Sequence, residues 1–162
     1  MRIKDRTIGS LDMRTHMKGR LMVRIKKLES TPRATLEDTS RDWVTIGGLY
    51  EKSATRSSAG GKQFQIWTVG DLNGSSISIF MFGDAFQTHK GMMRGSLVAF
   101  LNARLLPARS NASMALSVQA SEQVIDLGKC PDMGTCRSLR RDGKRCTMIV
   151  NVRDCKYCEY HV

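Results

Sequence analysis

Cysteine is missing from the first 129 of the 162 residues, and no apolar run approaches the ~18 residues that a membrane helix needs. No charged-then-apolar segment at the start resembles a signal peptide, and no internal repeat is present. A disulfide scaffold, a helical membrane protein and a repeat array are thereby excluded, and the chain is expected to be soluble and intracellular with no membrane partner. Its length accommodates one domain-sized core with a small appendage.

Recognisable catalytic constellations are also lacking. Gly60-Gly61-Lys62 continues into Gln63 and has no upstream glycine of the kind a phosphate-binding loop requires, so it reads as a hairpin loop. Asp42, Asp71 and Asp84 are too far apart in sequence to suggest a two-metal carboxylate pair, and each suits a turn or helix cap. His16 and His89 have no evident partner. The expectation is a protein that is not an enzyme.

What the chain does have is positive charge: 26 Lys and Arg stand against 15 Asp and Glu, giving +11 and an isoelectric point near 9.9. That excess favours a polyanion as partner. It is unevenly spread, with +6 over residues 1–41, +1 over 42–128 and +4 over 129–162. Both flanks are basic around a nearly neutral centre.

The centre carries β-like runs separated by turn residues: Trp43 to Lys52, Lys62 to Val69, Ser76 to Phe82, Ser96 to Leu105 and Met114 to Val118, with a weaker sixth at Gln123 to Leu127. Asn73-Gly74 signals a tight antiparallel hairpin, and Asp84 to Lys90 reads as a helical turn between the third and fourth runs. This order fits a mainly β OB-fold, a five-stranded barrel whose loops after strands one and four flank the ligand groove. A small SH3-like barrel fits the same pattern. Before the barrel, Met13, Met17, Leu21, Ile25 and Leu28 recur at helical spacing among basic residues, which predicts a basic N-terminal helical arm over 13–28. The expected division is arm and linker at 1–40, OB barrel at 41–128 and zinc finger at 129–162.

The last segment supports that final assignment. Cys136, Cys146, Cys158 and His161 form C-x9-C-x11-C-x2-H, three thiolates and an imidazole that complete a tetrahedral shell for one structural zinc ion. A closed shell leaves no position for activating water, which argues against a metal-dependent nucleic-acid enzyme. Cys155 competes for a place through Cys155-x2-Cys158, so an all-thiolate shell stays open. The simpler reading makes Cys130 and Cys155 small, partly buried thiols.

Arg137, Arg140, Arg141, Lys144 and Arg145 fall between the first two ligands, where a metal-pinned loop would concentrate them for phosphate contact. In the barrel, Lys52, Arg56, Lys62 and Arg109 lie at or near the two groove loops. Trp67, out of phase with Phe64 and Ile66, is the candidate for stacking on a base.

Arg41-Asp42-Trp43-Val44-Thr45, Phe64-Gln65-Ile66-Trp67, Phe80-Met81-Phe82-Gly83, Gly134-Thr135-Cys136 and the closing Asn151 to Val162 together resemble the internal domain of the minichromosome maintenance protein ten family. The resemblance spans about residues 13–162. It implies an OB fold packed on a Cys3His finger, binding single-stranded and double-stranded DNA in the nucleus. It further implies a link between the replicative helicase complex and DNA polymerase alpha. By motif it carries the zinc ligands onto Cys136, Cys146, Cys158 and His161, the finger's DNA-contacting basic run onto Arg140 and Arg141, and a groove position onto Lys62. Sliding-clamp binding is doubtful, because Gln63 to Gly70 lacks the terminal aromatic pair of the clamp-binding box. The self-association segment and further zinc region found elsewhere in the family lie outside these residues. The alternative function is a protein-docking module of the replisome with the finger as a structural staple.

Overall fold

The structure is a computed structural model that describes residues 21–28, 42–72, 75–106, 115–158 and 160–161. Eleven strands and two short helices follow in chain order: β1 (Leu21–Met22), α1 (Ile25–Leu28), β2 (Trp43–Lys52), β3 (Arg56–Ser57), β4 (Gln63–Gly70), β5 (Ser76–Phe82) and α2 (Gly83–His89). Then come β6 (Ser96–Leu101), β7 (Arg104–Leu105), β8 (Ala115–Val118), a 3-10 turn at Ser121–Gln123, β9 (Val124–Lys129), β10 (Met133–Thr135) and β11 (Ile149–Asn151).

The main sheet runs β7-β8-β5-β4-β2-β6-β9. Because β6 continues through Asn102 and Ala103 into β7, the path closes on itself as a barrel. The parallel β5–β8 pair provides the closure, with Ser78 opposite Ala115 and Met81 opposite Val118. Asn102 makes the corner between β6 and β7. Its φ of 48° lies in a region asparagine tolerates better than most residues. Its side-chain oxygen accepts from the Trp43 amide at 2.8 Å, and its own amide donates to the Trp43 carbonyl at 2.9 Å. One residue thus joins the end of β6 to the start of β2.

Strand alternation fills the barrel. Trp43 and Leu49, Trp67 and Val69, Ile77, Ile79 and Met81, Val98 and Phe100, and Leu116 and Val118 form one apolar cluster. A second, smaller cluster of Val44, Leu97, Ala99, Leu101 and Leu127 lies on the other face of β2, β6 and β9. The strand at Val124–Lys129 is therefore a sixth element packed alongside the barrel, antiparallel to β6.

The expected arm differs from the structure where it is described. Leu21–Met22 forms a strand parallel to the start of β2, and only Ile25–Leu28 is helical. Of the apolar residues that suggested a long helix, Ile25 and Leu28 instead enter the barrel core, together with Val23. A Cβ at Gly47 would overlap the side chains of Val69 and Ile25, so glycine is what lets the arm dock there. Met13 and Met17 lie outside the described residues.

Beyond β9 the chain turns through Cys130, whose amide donates to the Gly95 carbonyl at 2.8 Å, and forms the β10–β11 hairpin. Arg94 reaches Thr135 Oγ1 at 3.2 Å across this junction. The finger is thereby held against the loop that precedes β6.

Candidate zinc site and nucleic-acid interface

The finger brings Cys136, Cys146, Cys158 and His161 together with all four ligand atoms within 4.8 Å of one another. Cys136 Sγ to His161 Nδ1 is 3.5 Å, Cys158 Sγ to His161 Nδ1 is 3.3 Å, and Cys146 Sγ to Cys158 Sγ is 3.9 Å. A tetrahedron with Zn–S bonds of about 2.3 Å has edges of roughly 3.8 Å, so these three separations are close to those zinc requires. The three sulfurs are buried with Val150 beneath them, and Cys155 is not in the cluster. Cys155 instead accepts the Tyr157 amide at 3.4 Å.

The electrostatics agree with a cation. Burial pushes the Cys136 thiol up, but amides of Cys158 and Ser138 and the ring of His161 outweigh it and bring it down to about 6. Burial and the neighbouring thiols push Cys158 in the opposite direction. One thiolate makes the next harder to form, a conflict that a divalent ion removes. This donor set fits one structural zinc, held by four protein ligands with no position left over.

Between the first two ligands the chain folds back as a tight hairpin. Cys146 N donates to Ser138 O at 2.9 Å, Leu139 bridges Arg145, and Arg140 N donates to Lys144 O at 2.7 Å. Gly143, with φ of 80°, sits where a side chain would be strained. The hairpin displays Arg140, Arg141, Lys144 and Arg145 as exposed side chains, with Arg137 at its base. Arg140 pairs with Asp142 at 3.2 Å, an exposed contact that phosphate can replace at little cost.

In the barrel, Arg56 and Lys62 are exposed, Arg56 standing opposite Phe64 in the β3–β4 pairing. Arg109 lies outside the described residues. Lys52 is otherwise engaged: its ammonium donates to the Lys90 and Met92 carbonyls at 2.6 and 2.7 Å, and burial lowers its pKa.

The expectation for Trp67 is overturned. Its side chain is fully buried in the barrel core, and its ring nitrogen donates to Gln65 at 3.1 Å, so no face is open to a base. The open aromatics are on the opposite face of β4 and of its neighbour β5. Phe64 stacks on Phe80 with centroids 6.1 Å apart and planes 11° apart, and Phe82 lies 5.1 Å from Phe64. All three are half-buried. They meet because the β4–β5 register sets Phe64 opposite Phe82 and Ile66 opposite Phe80. Farther along this face, Thr68 enters a cavity of about 640 Å³ that it shares with Tyr50, Glu51 and Arg94 of the barrel side and with Thr147, Met148 and Ile149 of the finger.

Residues 1–125 match the family described as MCM10 OB-fold, and residues 128–162 match the one described as primase zinc finger. The chain belongs to the MCM10 family. It is 34% identical over 166 residues to the human protein MCM10 homolog, covering 100% of this chain and 19% of that protein. To the Drosophila melanogaster MCM10 homolog it is 35% identical over 129 residues, covering 77% of this chain and 17% of that one. To the Schizosaccharomyces pombe DNA replication licensing factor mcm10 it is 26% identical over 145 residues, covering 88% of this chain and 24% of that one. This MCM10-family chain thus spans between 17% and 24% of the length of these relatives. Among solved structures it is similar to an OB domain from Thermoplasma acidophilum, at 19% identity and a TM-score of 0.43, covering 66% of this chain and 85% of that one.

Proposed function

We propose that this chain is a non-catalytic DNA-binding module of the replication machinery, acting in the nucleus on single-stranded and double-stranded DNA. The observation that carries this reading is the continuity of one surface. The Phe64, Phe80 and Phe82 rings on the outer face of β4 and β5 lead, past Thr68, to a seam whose far wall continues from the basic hairpin of the finger. Rings of this kind accept unstacked bases without regard to sequence, while flanking cations track the backbone. Lys62 and Arg56 stand at the aromatic end, and Arg137, Arg140, Arg141, Lys144 and Arg145 at the finger end.

The closed zinc shell holds the hairpin and leaves no position for an activated water, which supports a scaffold role. Family membership supports the wider role, a link between the replicative helicase complex and DNA polymerase alpha. Sliding-clamp contact is left out of the proposal because the clamp-binding box is incomplete.

The test is fluorescence anisotropy with labelled single-stranded and duplex DNA across a salt series. Each lost phosphate contact flattens the slope of log affinity against log salt by about 0.7 for single strands, so the Lys62→Ala/Arg140→Ala/Arg141→Ala protein is expected to lose up to about two units of slope. Phe64→Ala with Phe82→Ala is expected to weaken single strands more than duplex, by about 1–3 kcal/mol per base unstacked from a ring. Unchanged slope and affinity in both variants would remove the reading. A second reading, docking of replisome proteins, draws on the exposed Leu139, Met148, Tyr157 and Tyr160 of the finger. Partner capture that survives neutralisation of the finger's arginines would favour it.

A further inference from the structure

The cavity between barrel and finger has features that phosphate binding does not use. Its volume of about 640 Å³ lies within the range that holds a small ligand. Four hydroxyls, from Thr68, Ser75, Ser76 and Thr147, line it together with Leu72, Met148 and Ile149. It also contains one carboxylate, Glu51, and one cation, Arg94. An acid there repels the backbone of a bound strand and suits a hydrogen-bond donor instead.

The wall beside Glu51 is fixed in position. Tyr50 lies against Gly70, where a Cβ would overlap its ring, and its hydroxyl accepts the Leu72 amide at 2.7 Å. Glu51 is set next to it by the irregularity in the β2–β4 pairing between Leu49 and Glu51, which brings Glu51 opposite Thr68. No other described residue pairs with the Glu51 carboxylate. Arg94, opposite in sign, is anchored by Thr135 through one nitrogen and keeps further donors.

We propose that this seam cavity holds a single nucleobase that carries an exocyclic amino group, with the Glu51 carboxylate accepting from that amine and Arg94 meeting the adjoining phosphate. An ionised carboxylate only accepts hydrogen bonds, so it suits the N4 amine of cytosine, whereas thymine presents a carbonyl at the same position. The fixed Tyr50 ring and the apolar side chains enclose the base, and the hydroxyls adapt to its remaining edge atoms. The inference rests on the proposal that DNA follows the β4–β5 face, and it adds base discrimination to a surface that otherwise reads none.

The experiment compares binding of labelled oligo-dC and oligo-dT of equal length, at one salt concentration and neutral pH, to the intact zinc-loaded chain and to Glu51→Ala. The wild type is expected to favour oligo-dC by at least about fivefold, the low end of what a base-edge contact gives. Glu51→Ala is expected to bring the two affinities together by weakening oligo-dC relative to oligo-dT. Glu51 is exposed, so the variant is expected to fold, and a melting profile of the variant checks this. Equal wild-type affinities, a preference that survives in Glu51→Ala, or a uniform rise for both strands would each overturn the inference, the last because it shows charge repulsion alone. Absence of binding to either oligonucleotide at low salt would remove the DNA-binding reading and this inference with it.

Discussion

The ammonium of Lys52 lies 5.7 Å from the centroid of the Trp67 ring while it donates to the carbonyls of Lys90 and Met92. One of the cations expected at the groove loops is therefore a clamp inside the fold, tying the end of β2 to the segment after α2. Replacing Lys52 with Ala leaves two carbonyls without their donor. The expected cost is about 2 kcal/mol, from charged hydrogen bonds worth roughly 1.5–3 kcal/mol each less what water restores. DNA affinity is expected to change less than it does for Lys62→Ala. Urea unfolding and anisotropy on the same preparations separate the two effects, and the reverse ranking would return Lys52 to the groove.

Zinc content distinguishes the ligand sets. Cys158→Ser is expected to lose the ion and the finger's fold, whereas Cys155→Ser is expected to retain one zinc per chain, since Cys155 lies outside the four-ligand cluster. Full chelation of the native chain is expected to abolish finger structure while the barrel strands persist. Elemental analysis alongside circular dichroism reads both results. Zinc loss in Cys155→Ser would reinstate the all-thiolate shell.

The sequence made the barrel legible because each strand is short, alternating and bounded by turn residues. Trp43–Lys52 and Ser76–Phe82 have the bounds that the pattern predicts. The zinc ligands were legible from spacing, with the choice against Cys155 left to geometry. Trp67 was misplaced because β4 is apolar on both faces, with Phe64 and Ile66 on one and Trp67 and Val69 on the other. Alternation separates the two sets and does not say which set faces inward. The Phe64-Phe80-Phe82 patch depends on the register between two strands, and the seam cavity on how the finger meets the barrel. The cavity has no local signature, and the patch has only a partial one. Alternating aromatics at Phe80 and Phe82 opposite Phe64 were the signal available.

Thr45 contributes nothing to the site and carries a cost. Its hydroxyl is buried inside the barrel without a hydrogen-bond partner among the described residues. Thr45→Val keeps the shape and removes the unsatisfied group, so the barrel is expected to gain about 1 kcal/mol, the lower range of the penalty for a buried orphan. Chemical denaturation at neutral pH measures it, and a loss of stability would mean that the hydroxyl is bonded in solution.

Tyr50 gives the fold a dependence on alkaline pH. Burial, with smaller contributions from the charges of Asp71 and Cys130, outweighs the Leu72 amide and raises its phenol to about 12. The folded chain therefore favours the neutral ring more than the unfolded chain, whose tyrosines ionise near 10. The associated stability is fully present below pH 10 and is lost as pH rises from about 10 to about 12. Tyr50→Phe cannot ionise, so it lacks this loss while also lacking the hydrogen bond to Leu72. The difference in urea midpoint between the native chain and Tyr50→Phe is expected to stay level from pH 7 to 9, then to move in favour of the variant above pH 10. Subtracting the two curves cancels the titration of the other tyrosines and the lysines. A difference that stays constant through pH 11.5 would show that the ring reaches solvent, and with it that the wall of the seam cavity is not fixed.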